Sequence, residues 1–277
     1  MMLALLKTEI FKLFRESKTW YAIAAVLLIE LIILVAAYYQ GAEILDLLLD
    51  NLQQSFYFEG NLLNGNLLLY IILNSLWFNL PLILMIVSSS LITEEYKNGT
   101  LKTLMLQAVD KRQLILSKFI ASLLFTVMML LLLMATTFVL AYGIFGTGDL
   151  VVYLGTLNFF PSEEAFNRIC LAFASGTISM IFFTTVSITL GIFLKESAKT
   201  WIASAFFLIL SSLLLKANFG WGTVERYFFP KLTNSWQRFF EYEVAATSII
   251  IDNMVLIIYI ISVVLIGTYY FKKQDVG

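Results

Sequence analysis

Six stretches of the chain are apolar almost without interruption. Trp20–Tyr39 carries a single charge, Glu30; Leu67–Ile92, Phe119–Phe145 and Ile169–Leu194 carry none; Trp201–Leu215 and Asn253–Phe271 complete the set. The runs do not alternate with a period of two, so helices are predicted rather than strands, and a helix satisfies every backbone group internally. About 20 residues of helix cross the ~30 Å hydrocarbon layer of a bilayer. The fifth run is short, and it gains Ser197–Thr200 if Lys199 snorkels to the surface. Ahead of the first run, Leu3, Leu6, Ile10, Leu13 and Phe14 fall on one helical stripe, with Lys7, Lys12, Arg15 and Lys18 mostly off it. That pattern predicts a helix lying in the membrane plane, its apolar face in lipid and its basic groups near anionic headgroups. The expected fold is therefore an all-α integral membrane protein: a single transmembrane domain with an N-terminal amphipathic interfacial helix (1–18) and six transmembrane helices (20–39, 67–92, 119–145, 169–194, 197–215 and 253–271).

Composition agrees with this pattern. The 277 residues are 60% apolar and 13% charged, against roughly 45–50% and 25% in soluble domains. Histidine is absent and Cys170 is the single cysteine, which excludes histidine-based triads, His/Cys zinc sites and an intramolecular disulfide. A net charge of −1 gives no basis for a nucleic-acid partner. Basic residues divide unevenly between the loops. Lys7, Lys12, Arg15, Lys18, Lys97, Lys102, Lys111, Arg112, Lys118, Lys195, Lys199, Lys272 and Lys273 fall on one side, whereas the other holds Arg168, Lys216, Arg226, Lys231 and Arg238 among many acidic residues. The positive-inside rule then puts both termini in the cytoplasm of a multi-pass plasma-membrane protein, with bacterial origin expected.

The loop 93–118 is the most informative segment. Thr100–Leu106 has helical character, with Leu101, Leu104 and Met105 on one face, and Asp110 can cap a helix running into the third span. Glu94 and Glu95 after the second span, then Gly99-Thr100-Leu101, then Arg112 and Lys118, resemble the permease subunit of ABC type-2 exporters. The resemblance is sharp over this loop and extends in layout to the whole chain, although Val109-Asp110 stands where the family often has Pro-Ser or Leu-Ser. It implies a permease that forms the translocation pathway. In that family the segment after the second span is a coupling helix docked on a separate ABC ATP-binding subunit, so Glu94, Glu95, Gly99, Thr100, Leu101, Leu104 and Arg112 are the implied coupling residues. The chain has no G-x-x-x-x-G-K-[ST] loop to cradle phosphates, so it needs no cofactor itself and is not an enzyme alone; ATP and Mg belong to the partner subunit. A second permease chain, identical or related, and membrane lipid are the other implied partners. The alternatives are a secondary transporter, or a membrane-embedded enzyme or scaffold without ATP coupling. Gly146-Thr147-Gly148-Asp149 matches a string of intramembrane aspartyl proteases, but no second Asp faces it within the bilayer, and a glycine-rich turn explains it.

Polar residues inside the spans remain. Glu30 lies near the middle of the first span, where a carboxylate costs ~2.5–3.5 kcal/mol on insertion scales. It must be protonated, face water, or bond hydroxyls or amides such as those of Asn74 and Asn79, and both a functional and a structural role stay open. Thr184, Ser187 and their polar neighbours on the fourth span suit either close helix packing or a partly polar pathway. The segment 216–247 is dense in aromatics, among them Phe219, Trp221, Trp236 and Phe240. This predicts short helices embedded in the outer leaflet, and the resemblance implies a re-entrant segment there. Leu45–Phe58 and Ser162–Arg168 are further candidates for short outer helices.

Overall fold

A computed structural model describes residues 2–53, 62–106, 110–217, 220 and 223–274. Each apolar run lies within a helix that extends beyond it: α2 (Ser17–Gln53), α3 (Gly65–Lys97), α5 (Lys111–Phe145), α6 (Ser162–Leu194), α7 (Ser197–Lys216) and α10 (Ala246–Lys273). All six are long and apolar enough to cross a membrane. Helix α1 (Met2–Arg15) precedes them and the short α4 (Thr100–Met105) follows α3. We call the end carrying α1, α4 and the last turn of α10 basal, and the other end distal.

Helices α3 and α6 form the centre. Gly176 of α6 faces the Trp77 ring, and a Cβ on Gly191 would come within 2.8 Å of Ile92 and 3.2 Å of Thr93, so small residues let the two backbones approach. Ser187 donates to the Met85 carbonyl at 2.8 Å and lies 2.8 Å from Ser204 of α7, while Thr126 of α5 reaches Thr184 at 3.5 Å. Both α6 residues are therefore buried inside one chain as ties between helices. Helices α2 and α10 are peripheral. In α2 the buried positions Ala22, Val26, Glu30, Leu34 and Ala37 recur at helical spacing on one face, while Tyr21, Leu28, Leu31, Ile32 and Val35 are exposed.

The distal end departs from an all-helical fold. An antiparallel hairpin, β1 (Leu150–Tyr153) paired with β2 (Leu157–Phe160), follows α5. Ser162–Arg168 is the opening of α6 rather than a separate helix. Helix α2 continues past a kink at Gln40 to Gln53, so Leu45–Gln53 is helical, and the remainder of the expected Leu45–Phe58 helix lies outside the described residues. The segment after α7 forms α8 (Thr223–Arg226), α9 (Phe229–Thr233) and a 3-10 helix (Ser235–Phe240); Phe219 and Trp221 lie outside the described residues. These pieces enter the bundle. Trp236 packs 4.4 Å from Trp77, about 18 Å along α3 from its distal end, and Phe229 stacks on Phe207 at 5.4 Å.

Asn64 caps α3 by accepting from the Leu67 amide and donates to the Asp149 carbonyl at 2.7 Å. The Gly65 amide donates to the Gly146 carbonyl at 2.9 Å. A Cβ at Gly65 would fall 2.2 Å from the Tyr142 ring and 2.8 Å from that carbonyl, so glycine is required for this approach. Gly143, one helical turn away, has nothing within 4 Å. Gly65→Ala is expected to destabilise the protein by about 1–3 kcal/mol through overpacking. Gly143→Ala is expected to be neutral or to stabilise by up to ~1 kcal/mol through helix propensity. Thermal unfolding of the two variants in detergent checks the contrast.

Candidate functional site

The last turn of α3 ties most of the basal end together. Ser197 of α7 donates to Thr93 at 3.0 Å. Glu94 pairs with Lys18 of α2. Glu95 pairs with Lys12 of α1 and Lys118 of α5, both at 2.8 Å. The Tyr96 hydroxyl donates to the Gln274 side chain just past α10 at 2.7 Å, and Lys195 at the end of α6 stands 5.8 Å over its ring. Four consecutive side chains thus bind α1, α2, α5, α6, α7 and α10.

Lys118 is the centre of this node and is fully buried. Its ammonium donates to Glu9 at 2.7 Å and to the Leu91 carbonyl at 2.8 Å. Glu9 is 2% exposed and also pairs with Lys12 at 3.1 Å. Two lysines and two glutamates balance to zero, the condition under which charges this deep are tolerable. Burial works against a charged Lys12, but the bond and charge of Glu95, with Glu9 beside it, prevail and hold its ammonium above the ordinary lysine value. Between α1 and α2, burial pushes the Glu16 carboxyl up, against the opposing hydrogen bond from Ser90.

The node depends on the seating of α1, and here the sequence expectation is corrected. Leu6, Ile10, Leu13 and Phe14 pack against the bundle rather than facing lipid; Phe14 meets Phe125 of α5 edge-on at 6.5 Å. Leu3 and Phe11 remain exposed, at 82% and 63%. Glu9 lies on the packed side of α1, and Lys118 answers its charge.

Beyond the node, Asn98 ends α3 and Gly99 turns the chain at φ 67°, a left-handed backbone that favours glycine. Leu101 is then directed inward. It is 1% exposed, clustered with Ile92, Leu114, Ile115, Phe119 and Phe271, and Leu104 packs partly against the same group. The expectation that Leu101 offers a free docking surface is therefore corrected: it anchors α4 to its own bundle, because the left-handed turn rolls that face of α4 toward α5 and α6. Lys102, Thr103 and Leu106 face outward, Leu106 at 89% exposure, and the Met105 side chain lies outside the described residues. Gly99, Thr100 and Arg112 are exposed, and Asp110 caps α5 by accepting from the Arg112 amide at 3.0 Å. A cleft of about 520 Å³ opens between α1 and α4, lined by Lys12, Arg15, Glu94, Glu95, Asn98 and Thr103 among others.

Among the described residues, Glu30, Asn74 and Asn79 do not come together. Glu30 is fully buried and pairs with Thr136 of α5 at 2.8 Å, not with Asn74 or Asn79. Asn74 accepts from Gln237 of the 3-10 helix at 3.2 Å, and Asn79 donates to the Ser75 carbonyl at 3.4 Å. At the distal end, two arginines, Arg226 and Arg238, grip buried Asp252 of α10 at 3.1 and 2.7 Å. Arg168 donates to the carbonyls of Phe239, Glu241 and Tyr242, closing the 3-10 helix onto α6. Sequence reasoning missed Glu9, Tyr96, Gln274 and these arginine ties; the one available signal was Glu9 standing among the apolar positions of α1.

Among the described residues, six helices long and apolar enough to cross a membrane, a short exposed helix after the second and short helices packed into the distal end define a polytopic membrane protein. A family model described as ABC-2 family transporter protein matches residues 5–212, three-quarters of the chain, and the chain belongs to that family of membrane transport permeases. No curated protein matches it significantly.

Removing Lys118 tests the node. Lys118→Met leaves two buried carboxylates facing Lys12 alone and is expected to destabilise by about 3–5 kcal/mol. Lys118→Met/Glu95→Gln restores neutrality and is expected to recover most of that loss, because one Lys–Glu pair then remains. Thermal unfolding of both variants in detergent decides it; a double variant no more stable than the single one would contradict the charge-balance account.

Proposed function

We propose that this chain is the permease subunit of an ABC exporter in the plasma membrane, with its basal end and both termini in the cytoplasm. The exposed side of α4 and the cleft beside α1 receive a separate ABC ATP-binding subunit, which binds ATP and Mg. The observation that carries this reading is α4 itself: a helix anchored inward by Leu101, exposed on its other side, and joined directly to the turn of α3 that ties the basal end together. A segment held in this way passes a push from outside into the spans. Family membership favours this reading over a secondary transporter, an embedded enzyme or a scaffold.

A second permease chain completes the pathway. Helix α3 leaves Ser75, Phe78 and Asn79 exposed at membrane depth, and a polar amide facing lipid is costly. That face is best used against a second copy and the cargo between them. Glu30, buried with Thr136 on another face, serves as a tie between α2 and α5, and Thr184 and Ser187 serve as packing residues.

The docking surface is tested at Leu106, whose side chain is exposed at the end of α4. Leu106→Asp is expected to lower recovery of the genomically adjacent ABC ATPase in co-purification at least severalfold, while the permease keeps its yield and melting temperature. Burial of one leucine is worth about 1.5–3 kcal/mol, ample for that loss. Unchanged recovery of the complex together with unchanged hydrolysis would exclude α4 as the docking element.

A further inference from the structure

Helix α10 is tied by polar side chains at both ends and packs between them mainly through apolar contacts. At its basal end Gln274 accepts from Tyr96, donates to the Ile192 carbonyl at 3.2 Å, and offers its own carbonyl to Lys111 at 3.0 Å. In its distal part Asp252 holds Arg226 and Arg238, both arginines also reach Ser248, and Ser175 donates to Asn253 at 3.1 Å. Between Tyr259 and Gln274, among the described residues, the polar contact from another helix is Thr189 to the Val263 carbonyl, at 3.5 Å. The rest of α10 touches the bundle along a narrow line through Leu256, Gly267 and Phe271 and exposes most of its other side chains. It contains no proline and runs about 42 Å without a break. Helices α3 and α6 interlock at two levels, Trp77/Gly176 and Ile92/Gly191, and make a fixed core, whereas α10 meets that bundle as closely at one level, where a Cβ on Gly267 would fall 3.0 Å from Thr189 and 3.2 Å from Phe119.

The two tied ends serve different places. Tyr96 adjoins Glu95 in the turn that leads into α4. Asp252, Arg226 and Arg238 line a distal cavity of about 470 Å³ that Glu225, Lys231 and Gln237 also border. The short helices there are held to α10 through Asp252 and to α3 through Gln237 and Asn74. A lengthwise shift or rotation of α10 against the α3–α6 core therefore alters the grip on Arg226 and Arg238, and with it the shape of the cavity.

Resting on the permease reading above, we propose that Gln274 and Asp252 are positioning residues that make α10 the connecting rod between the ATPase-facing turn of α3 and the distal cavity. Movement of α4 reaches Gln274 through Tyr96, α10 transmits it as a rigid helix, and Asp252 delivers it to the two arginines.

The test uses the permease–ATPase complex in nanodiscs, in a Cys170→Ser background, with Leu154→Cys as a reporter on the cavity wall outside the arginine grip. The rate of maleimide labelling is measured with and without ATP trapped by vanadate. In this parent, trapping is expected to change the rate about threefold or more, the scale of a typical coupling energy. Gln274→Ala is expected to abolish the change while ATP hydrolysis and the untrapped labelling rate stay as in the parent. Tyr96→Phe should do the same, and the double variant should add nothing further. Asp252→Asn should raise the untrapped rate, because it loosens the grip at its distal end. A full ATP-dependent change surviving in Gln274→Ala, or hydrolysis in the parent without any labelling change, would overturn the proposal and leave the permease reading standing. A parent that never associates with the ATPase would overturn both.

Discussion

A lysine with no exposed surface is tolerable only if its charge is answered at contact distance, and Lys118 is answered by two carboxylates from different parts of the chain. Glu9 comes from the first helix and Glu95 from the end of α3, so the requirement to neutralise one ammonium fixes three elements relative to each other. Lys12 supplies the fourth charge. An apolar core would hold these helices with less geometric demand; the ion quartet adds direction, because each pair works only over a narrow range of positions. Once α3 ends at that place, Gly99 turns the chain and Leu101 drops into the apolar cluster beneath α4. The position of the exposed helix thus follows from the buried charges beside it.

The distal end solves a different problem. Backbone that is neither long helix nor closed sheet has to be satisfied inside the membrane region, and arginine is well suited to this, because its planar fork can serve several oxygens at once. Arg168 serves three carbonyls that the end of the 3-10 helix would otherwise leave to solvent, while Arg226 and Arg238 share Asp252 and Ser248. Aromatic packing supplies the rest, with Trp236 against Trp77 and Phe229 between Phe182 and Phe207.

The spans were legible because an uninterrupted apolar run has one solution in a bilayer, and the capping of α5 by Asp110 was legible because its chemistry is local. What failed depended on partners distant in sequence. The stripe of α1 was read correctly as a stripe, but lipid and a neighbouring helix ask for the same residues, so nothing local showed that Leu6, Ile10, Leu13 and Phe14 face α5. Leu101 was ambiguous in the same way between its own bundle and a partner. Glu30 was matched to amides because one sequence carries no register between spans; its bond to Thr136 comes from depth and rotation, which only packing sets. The hairpin was missed because its strands are four residues each and the span before them overshadowed so short a pattern. Glu94, Glu95 and Gly99-Thr100-Leu101 were legible as a local pattern, whereas the tie from Tyr96 to Gln274 had no signal because a lone glutamine has no distinguishing pattern.

The central claim is that the basal end, where buried charge positions α4, is the end that meets a cytoplasmic ATPase, and sidedness tests this most directly. In a Cys170→Ser background, intact cells carrying Lys102→Cys or Glu243→Cys are treated with a membrane-impermeant maleimide, before and after permeabilisation. The account predicts that Glu243→Cys is labelled in intact cells and Lys102→Cys only after permeabilisation. Labelling of Lys102→Cys from outside, with Glu243→Cys protected, would contradict it, because the exposed helix would then face away from every source of ATP.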